Sequence, residues 1–310
     1  MIDVSLRATG AECEVLDERV SCGRRGQLGL RLKNFVCLLY LSVACSGQGP
    51  VAMPSVEIDP VRSVSGSPVQ VTLTFSVLPT AGFDEDHLVF LHFLNGDGEL
   101  MWTVDHYPPR PTSQWQPGDT IQYTKTILMP LCPYFGEAGV HVGLYSRDDG
   151  ARLILAGDEA GQRAYRVGRV RLLPPMRNTR LSYRSGWNPL ESDSICMQWR
   201  WSEQTSALVF DNPRQDARLY LALEHREVDD EKPRHLTVSV DDGIAARVEI
   251  TNGYVVQEIQ LTRSLLGDSD EVAVGLEVDR PFVPPALPGE ERTDTRMLGV
   301  RVVGAYLLVE

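Results

Sequence analysis

No run of the chain is apolar for long enough to cross a bilayer. The longest, residues 35–44, has about ten residues, or about 15 Å as a helix, against the roughly 20 residues that a hydrocarbon core requires. A helical period of 3.6 is missing throughout 55–173, which argues against helical packing there. No two cysteines stand in CxxC spacing, so a structural zinc site has no support. GxSxG, HExxH, GxxxxGK[ST] and a strand-following GxGxxG are also absent, and with them the signatures of the common hydrolases, zinc proteases and nucleotide-binding enzymes. Positive charge is scarce: 30 Lys and Arg against 42 Asp and Glu give a net charge of −12 over 310 residues. Residues 1–45 hold six of the bases and five of the acids, leaving 24 against 37 in the rest. A surface of that sign suits neither nucleic acid, whose binding relies on neutralising phosphates, nor docking on anionic lipid. Solvation of an exported protein is the simplest use of it.

The stretch that is apolar has a recognisable design. In "LRLKNFVCLLYLSVACSGQGP", residues 30–50, Arg31 and Lys33 precede the apolar run, Arg24 and Arg25 add charge upstream, and no acid falls between Arg19 and Cys45. That is the order of an export signal: a positive segment, 7–15 apolar residues, then small residues. "LSVAC" resembles the lipobox of bacterial lipoproteins, with Leu41 one place further back than usual. The resemblance implies lipidation of Cys45 after cleavage behind Ala44, and Ser46 implies outer-membrane sorting if the host has such a membrane. Cleavage by an ordinary signal peptidase, giving a secreted protein, and a short buried strand or helix are the alternatives. Residues 1–29 carry no sustained periodicity. Translation starting near residue 20–30 would explain a signal so far into the chain. "SGQGP" begins a polar, turn-prone tether, placed at 46–54.

From residue 55 onward the period is two. "SPVQVTLTFSV" alternates Val69, Val71, Leu73, Phe75 and Val77 with polar residues, the mark of a half-buried strand. Asn95-Gly96-Asp97-Gly98 and Asp148-Asp149-Gly150 read as hairpin turns between apolar runs. "QPGDTIQYTKTILMP" alternates too, but Lys125 interrupts its apolar row. About seven strands fall between 55 and 173, with turn signals every 8–15 residues, which predicts an antiparallel β-sandwich of immunoglobulin-like type. "PPMRNTR", 174–180, breaks the pattern, since two prolines lack donors for a central strand. Residues 181–310 repeat the style in "RLYLALEHR", "HLTVSVDDGIAARVEI" and "MLGVRVVGAYLLVE", predicting a second sandwich of jelly-roll type. "TRSLLGD" at 262–268 suits one helical turn, and 280–296 a Pro-rich loop. The expected class is all-β, with two consecutive sandwiches after the leader.

"DHYPPRPTSQWQPGD" and "VGLYSRDDGARL" resemble β-sandwich modules of bacterial cell-envelope proteins, including those attached to membrane glycosyltransferases. "GWNPLE", "WRWS" and "FVPPALPGEERTDTRMLGV" resemble jelly rolls of the carbohydrate-binding-module type. The two resemblances cover nearly all of 55–310 and imply no catalytic residue.

The densest polar and aromatic cluster is 102–119. Trp102, Asp105, Tyr107, Arg110 and Trp115, with His106, offer faces for sugar C–H surfaces and groups for hydroxyls, the mixture of a ligand groove. Equally, Trp115 and Tyr107 suit a plug at the sandwich end. Trp187, Trp199 and Trp201 form a second aromatic group, as a platform or as core. Asp84, Glu85 and Asp86 are candidate calcium ligands without an EF-hand pattern. Glu99 and Asp105 would make a glycosidase pair only across a cleft. His92, His106 and His141 lack helical ligand spacing. Cys132 and Cys196 remain beyond the leader, as two buried thiols or a bridge between sandwiches. No cofactor or metal is expected. The leading expectation is a non-enzymatic envelope lipoprotein, held to the membrane by its lipid, that binds a ligand, carbohydrate before others. Alternatives are a structural protein that binds another envelope protein by strand addition and a cell-wall glycan hydrolase.

Overall fold

The computed structural model describes residues 49–174, 180–193, 196–225, 232–241, 243–284 and 294–309. The leader, Cys45, residues 46–48 of the tether and 175–179 of the expected linker lie outside them. The first sandwich is built from β1 (Ala52–Asp59), β2 (Arg62–Val64), β3 (Pro68–Val77), β4 (His87–Leu94), β5 (Leu100–Thr103), β6 (Thr120–Leu128), β7 (Gly136–Ser146), β8 (Asp158–Glu159) and β9 (Tyr165–Leu173). A three-stranded sheet, β1-β3-β6, faces a sheet ordered β2-β9-β7-β4-β5, with β8 added beside β9.

The alternation in β3 is realised as read: Val69, Val71, Leu73, Phe75 and Val77 are all buried, facing Val89, Leu91 and Phe93 of β4 and Val140 and Val142 of β7 across one core. The turn at 95–98 closes β4 onto β5, with Asn95 Oδ1 accepting from the backbone N–H of Asp97 and Glu99 and Gly98 at φ +82°. In β6 the row Ile121, Tyr123, Lys125, Ile127 stays on one face, Lys125 included, and burial lowers its amine to about 8.

Two differences from the sequence reading follow from pairing. Residues 52–54, assigned to the tether, already belong to β1, where Ala52 is fully buried opposite Val77. One contact is not antiparallel: after Asp59 the chain leaves the three-stranded sheet, and β2 pairs parallel with β9 in the facing one.

The second sandwich comprises β10 (Leu181–Tyr183), β11 (Glu191–Ser192), β12 (Gln198–Trp201), β13 (Thr205–Asp211), β14 (Ala217–His225), β15 (Arg234–Val240), β16 (Gly243–Ile250), β17 (Gly253–Leu261), the single turn α1 (Arg263–Leu266), β18 (Glu271–Val278) and β19 (Arg301–Val309). Sheets β10-β13-β18-β15-β16 and β11-β12-β19-β14-β17, both antiparallel, enclose a core of Leu208, Phe210, Leu219, Leu221, Val238, Val274 and their neighbours. Among the described residues no helix is long and apolar enough to cross a membrane.

The sandwiches meet in one continuous apolar region and together make a single compact unit. β14 is the shared element. Leu219, Leu221 and Leu223 face its own core, while Tyr220 and Ala222 join the core of the first sandwich. A strand covered on both faces needs apolar residues at both parities, and "LYLAL" supplies them. Tyr254 of β17 accepts from the backbone N–H of Leu128, and Thr126 donates to Glu258 at 2.6 Å. Cys132 and Cys196, offered by the sequence as thiols or as a bridge, form a disulfide across this junction, with Cα atoms 4.8 Å apart.

Candidate functional site

The cluster read at 102–119 divides in two. Trp102 is 2% exposed, its ring stacked on Phe93 at 4.3 Å. Trp115 is 4% exposed against Phe75 and Phe83, and its Nε1–H donates to Arg110 O. Both belong to the core, because a sandwich end must be filled and indoles fill it with most area; neither forms a groove wall. Arg110 pairs with Asp119 at 2.8 Å and donates to Gln114 O, which pins the 112–119 turn. Asp105 and Tyr107 do reach a cavity. Asp105 accepts from Thr103 and, at 2.8 Å, from Tyr145; Tyr107 is 41% exposed.

That cavity, about 270 Å³, lies at the junction of the sandwiches. Asp105, His106, Tyr107 and Tyr145 come from the first, and Glu224, His225, Asn252 and Gly253 from the second. Gly253 is at φ +87°, with its Cβ position 3.3 Å from Asp105 O, so the backbone needs glycine there to bring β17 this close. Glu224 and His225, the last residues of β14, also wall a second cavity of about 270 Å³. This one is lined by Glu191, Trp201, Arg234, Phe282, Asp294, Arg296, Leu298 and Arg301. Strand ends place them: Arg234 opens β15, Arg301 opens β19, Trp201 closes β12.

Its apolar wall is a chain of rings. Trp201 meets Phe282 edge-on at 5.7 Å and His225 at 5.9 Å, and the guanidinium of Arg234 covers Phe282 at 4.6 Å. Trp199 lies beneath Arg301 at 3.7 Å, so the guanidinium covers one face of its ring. The polar wall is mostly paired. Arg296 bonds Asp294 through Nε and Nη2 and Glu191 through Nη1 at 2.6 Å, which holds the Asp294 carboxyl below its ordinary range. Arg301 and Glu224 form an ion pair at 3.0 Å, with side chains 9% and 11% exposed.

His225 is buried, and burial together with the charges of Arg234 and Arg301 lowers its imidazole to about 3. Its folded-state pKa therefore lies below the unfolded value near 6.5. The stability this contributes is complete above about 6.5 and is lost as pH falls towards the folded value, by up to about 1.4 kcal/mol per unit. Melts between pH 4 and 7 of the wild type and His225→Asn should show a shallower acid slope in the variant. Equal slopes would mean the imidazole is solvated.

The remaining candidates sit elsewhere. His92 and His141 are cross-strand partners between β4 and β7, while His106 bonds Tyr123 OH at 2.8 Å. Asp86 accepts from the backbone N–H of Ser113, and Glu99 accepts from Asn95. Among the described residues no three metal-ligating side chains converge. Two wider depressions on the first sandwich, about 580 and 660 Å³, have no Phe, Tyr or Trp in their walls. In the first of them the ion pairs Arg166–Asp158 and Arg169–Glu137 are exposed, so it offers little beyond solvated charge.

Sequence reasoning named Trp201 of this cavity and Asp105 and Tyr107 of the first, but did not name Arg234, Glu224, His225, Phe282 or Arg301. The available signal was charge inside otherwise apolar strands, as in "LYLALEH" and "MLGVRVVG".

No family model matches the chain, and no curated protein matches it in sequence. Among solved structures, β-glucuronidase from Bacteroides uniformis is similar over 83% of this chain and 30% of its own, at 11% identity and a TM-score of 0.25. The collagen adhesin CNA from S. aureus is similar over 84% of this chain and 96% of its own, at 7% identity and a TM-score of 0.18. The CBM51-2 and INT domains of Clostridium perfringens ZmpB cover 55% and 38%, at 9% identity and a TM-score of 0.20. The chain thus spans under a third of the glucuronidase's length, and likenesses this distant carry nothing about activity or ligand.

Proposed function

We propose that the chain is an exported, lipid-anchored cell-envelope protein that binds carbohydrate and performs no chemistry on it. The observation that carries this is the cavity at the end of the second sandwich, where Trp201 and Phe282 form an apolar wall opposite guanidinium and carboxylate groups. Sugars present apolar C–H faces and a rim of hydroxyls, and that combination of walls suits both. Hydrolysis would need one carboxyl held protonated as an acid. Each carboxylate on this wall instead faces a guanidinium, and Asp294 is held low. Binding is the better use of such a set.

The compartment has support of its own. A disulfide persists in oxidising surroundings and is rare in the cytosol, and the Cys132–Cys196 bridge joins the two sandwiches. With Cys45 as lipid acceptor and Ala52 already in β1, six residues remain as tether. They reach about 21 Å at about 3.5 Å each, which keeps the first sandwich close to the bilayer.

A glycan array with the whole chain tests the reading. Binding should be selective, and Trp201→Ala should weaken it roughly tenfold or more, as loss of a central aromatic anchor does, with little change in melting temperature. Silence across the array, beside a specific envelope protein in a pull-down, would replace this reading with a protein-binding role.

A further inference from the structure

We infer that the cavity at the end of the second sandwich takes a carboxylate, carried by an acidic sugar, between Arg234 and His225. This rests on the carbohydrate reading above and adds the chemistry that would select among sugars. Of the three guanidiniums on the wall, two are met by protein: Arg296 by Glu191 and Asp294, Arg301 by Glu224. Arg234 has no carboxylate within ion-pair distance among the described residues, and its Nη1 is buried without a hydrogen-bond partner. The neighbouring acid, Asp279, is engaged by the backbone N–H and Nδ1 of His235, and Arg247 lies 3.9 Å away from it.

A permanent charge with a buried donor unsatisfied is costly, and buried donors in native proteins nearly always have partners. An acceptor brought by a ligand would supply this one. His225 is the second such group on the same wall: 3% exposed, with Nε2 buried and without a partner. It stays uncharged near Arg234 and Arg301, so the positive charge offered to a ligand is that of Arg234. In the tautomer protonated at Nε2, the imidazole and the guanidinium donate to the two oxygens of one carboxylate, and guanidinium geometry favours that partner. Phe282 lies beneath Arg234, and Trp201 lies beside His225. The acid group would thus be held at the same wall that receives the apolar face of the ring. At about 270 Å³ the space is at the small end of ligand cavities. In a chain of net charge −12, attraction for an acid has to come from such a local arrangement.

The experiment is calorimetry on the whole chain near pH 7, with oligosaccharides containing glucuronate or galacturonate, each beside its methyl ester. The ester keeps the ring and removes the charge. The acids should bind roughly 10- to 100-fold more tightly than their esters, the range for a hydrogen bond to a charged group. Arg234→Met should bring that ratio close to one, because only the acid loses a charged partner. His225→Leu, which removes the other donor, should lower the ratio as well and serves if Arg234→Met does not fold. Esters that bind the wild type as well as acids do would overturn the inference and leave the carbohydrate reading standing. An acid preference that survives both substitutions would also overturn it, by placing the carboxylate elsewhere. No binding to acids, esters or any neutral glycan removes the carbohydrate reading and this inference together. Binding of a peptide with a free C-terminal carboxylate but not of its amide, without sugar binding, would assign the site to a protein partner.

Discussion

Reducing the Cys132–Cys196 bridge is expected to lower stability by about 4 kcal/mol. The two cysteines are 64 residues apart, and closing a loop of that length in the unfolded chain removes about that much free energy in the chain-entropy account. For a unit of this size the loss corresponds to a fall in melting temperature of roughly 10 °C. Both residues are buried, Cys132 at 5% exposure and Cys196 at 2%, in the apolar region where the sandwiches meet. Reductant should therefore act only after local opening, so reduction of the native protein will be slow and will quicken with denaturant. The double variant Cys132→Ser/Cys196→Ser should melt at the reduced protein's temperature whether or not reductant is present. Mass spectrometry after alkylation decides the premise: protein isolated without reductant should carry no label at either position before reduction. Label at both would remove the bridge, and with it the structural support for an oxidising compartment.

The bridge also marks where the sequence stops being informative. Two lone cysteines in segments predicted to belong to different sandwiches fit either outcome, because pairing depends on how the sandwiches dock, and docking depends on surfaces that have no period. Period two was enough for the strands. β3 has one buried face and so a regular alternation, and its residues landed as expected. Turn chemistry was enough for 95–98, where Asn95 and Gly98 do what such residues do in any hairpin. β14 is the instructive case. Its run of apolar residues reads as one more strand, yet the absence of alternation is the record of a second covered face.

The groove reading of the indoles fails for a related reason. Trp102 and Trp115 occur among prolines and charges, a setting that resembles a groove, but an indole next to polar residues in sequence turns its back on them when a core lies within reach. The second cavity is drawn from strand ends and loops far apart in the chain, residues 191, 201, 224, 234, 282, 296 and 301. No window of sequence contains them, and only charge within apolar strands, as at Glu224 and Arg301, hints at a pairing.

Arg301→Met is expected to cost about 3–5 kcal/mol, and restoring apolarity on the other side should recover most of it. Glu224 and Arg301 stand on neighbouring strands, β14 and β19, their charged groups 3.0 Å apart and almost entirely shielded from water. Removing the guanidinium alone leaves the Glu224 carboxylate in that setting without the ion pair, and a buried charge deprived of its partner is the expensive outcome. Met also gives up the guanidinium's contact with the Trp199 ring at 3.7 Å, a smaller loss because the thioether still covers the indole. The double variant Glu224→Leu/Arg301→Met removes both desolvated charges at once, so its stability should return to within about 1 kcal/mol of wild type or exceed it, as replaced buried pairs often do. Urea unfolding of the four proteins in the cycle measures the coupling between the side chains directly. A single variant that loses less than about 1 kcal/mol would show that water reaches Glu224 through one of the two cavities it walls. The double variant then separates stability from binding: a protein as stable as wild type that no longer holds its ligand would place the pair in the cavity for recognition, since an apolar pair would serve the fold as well.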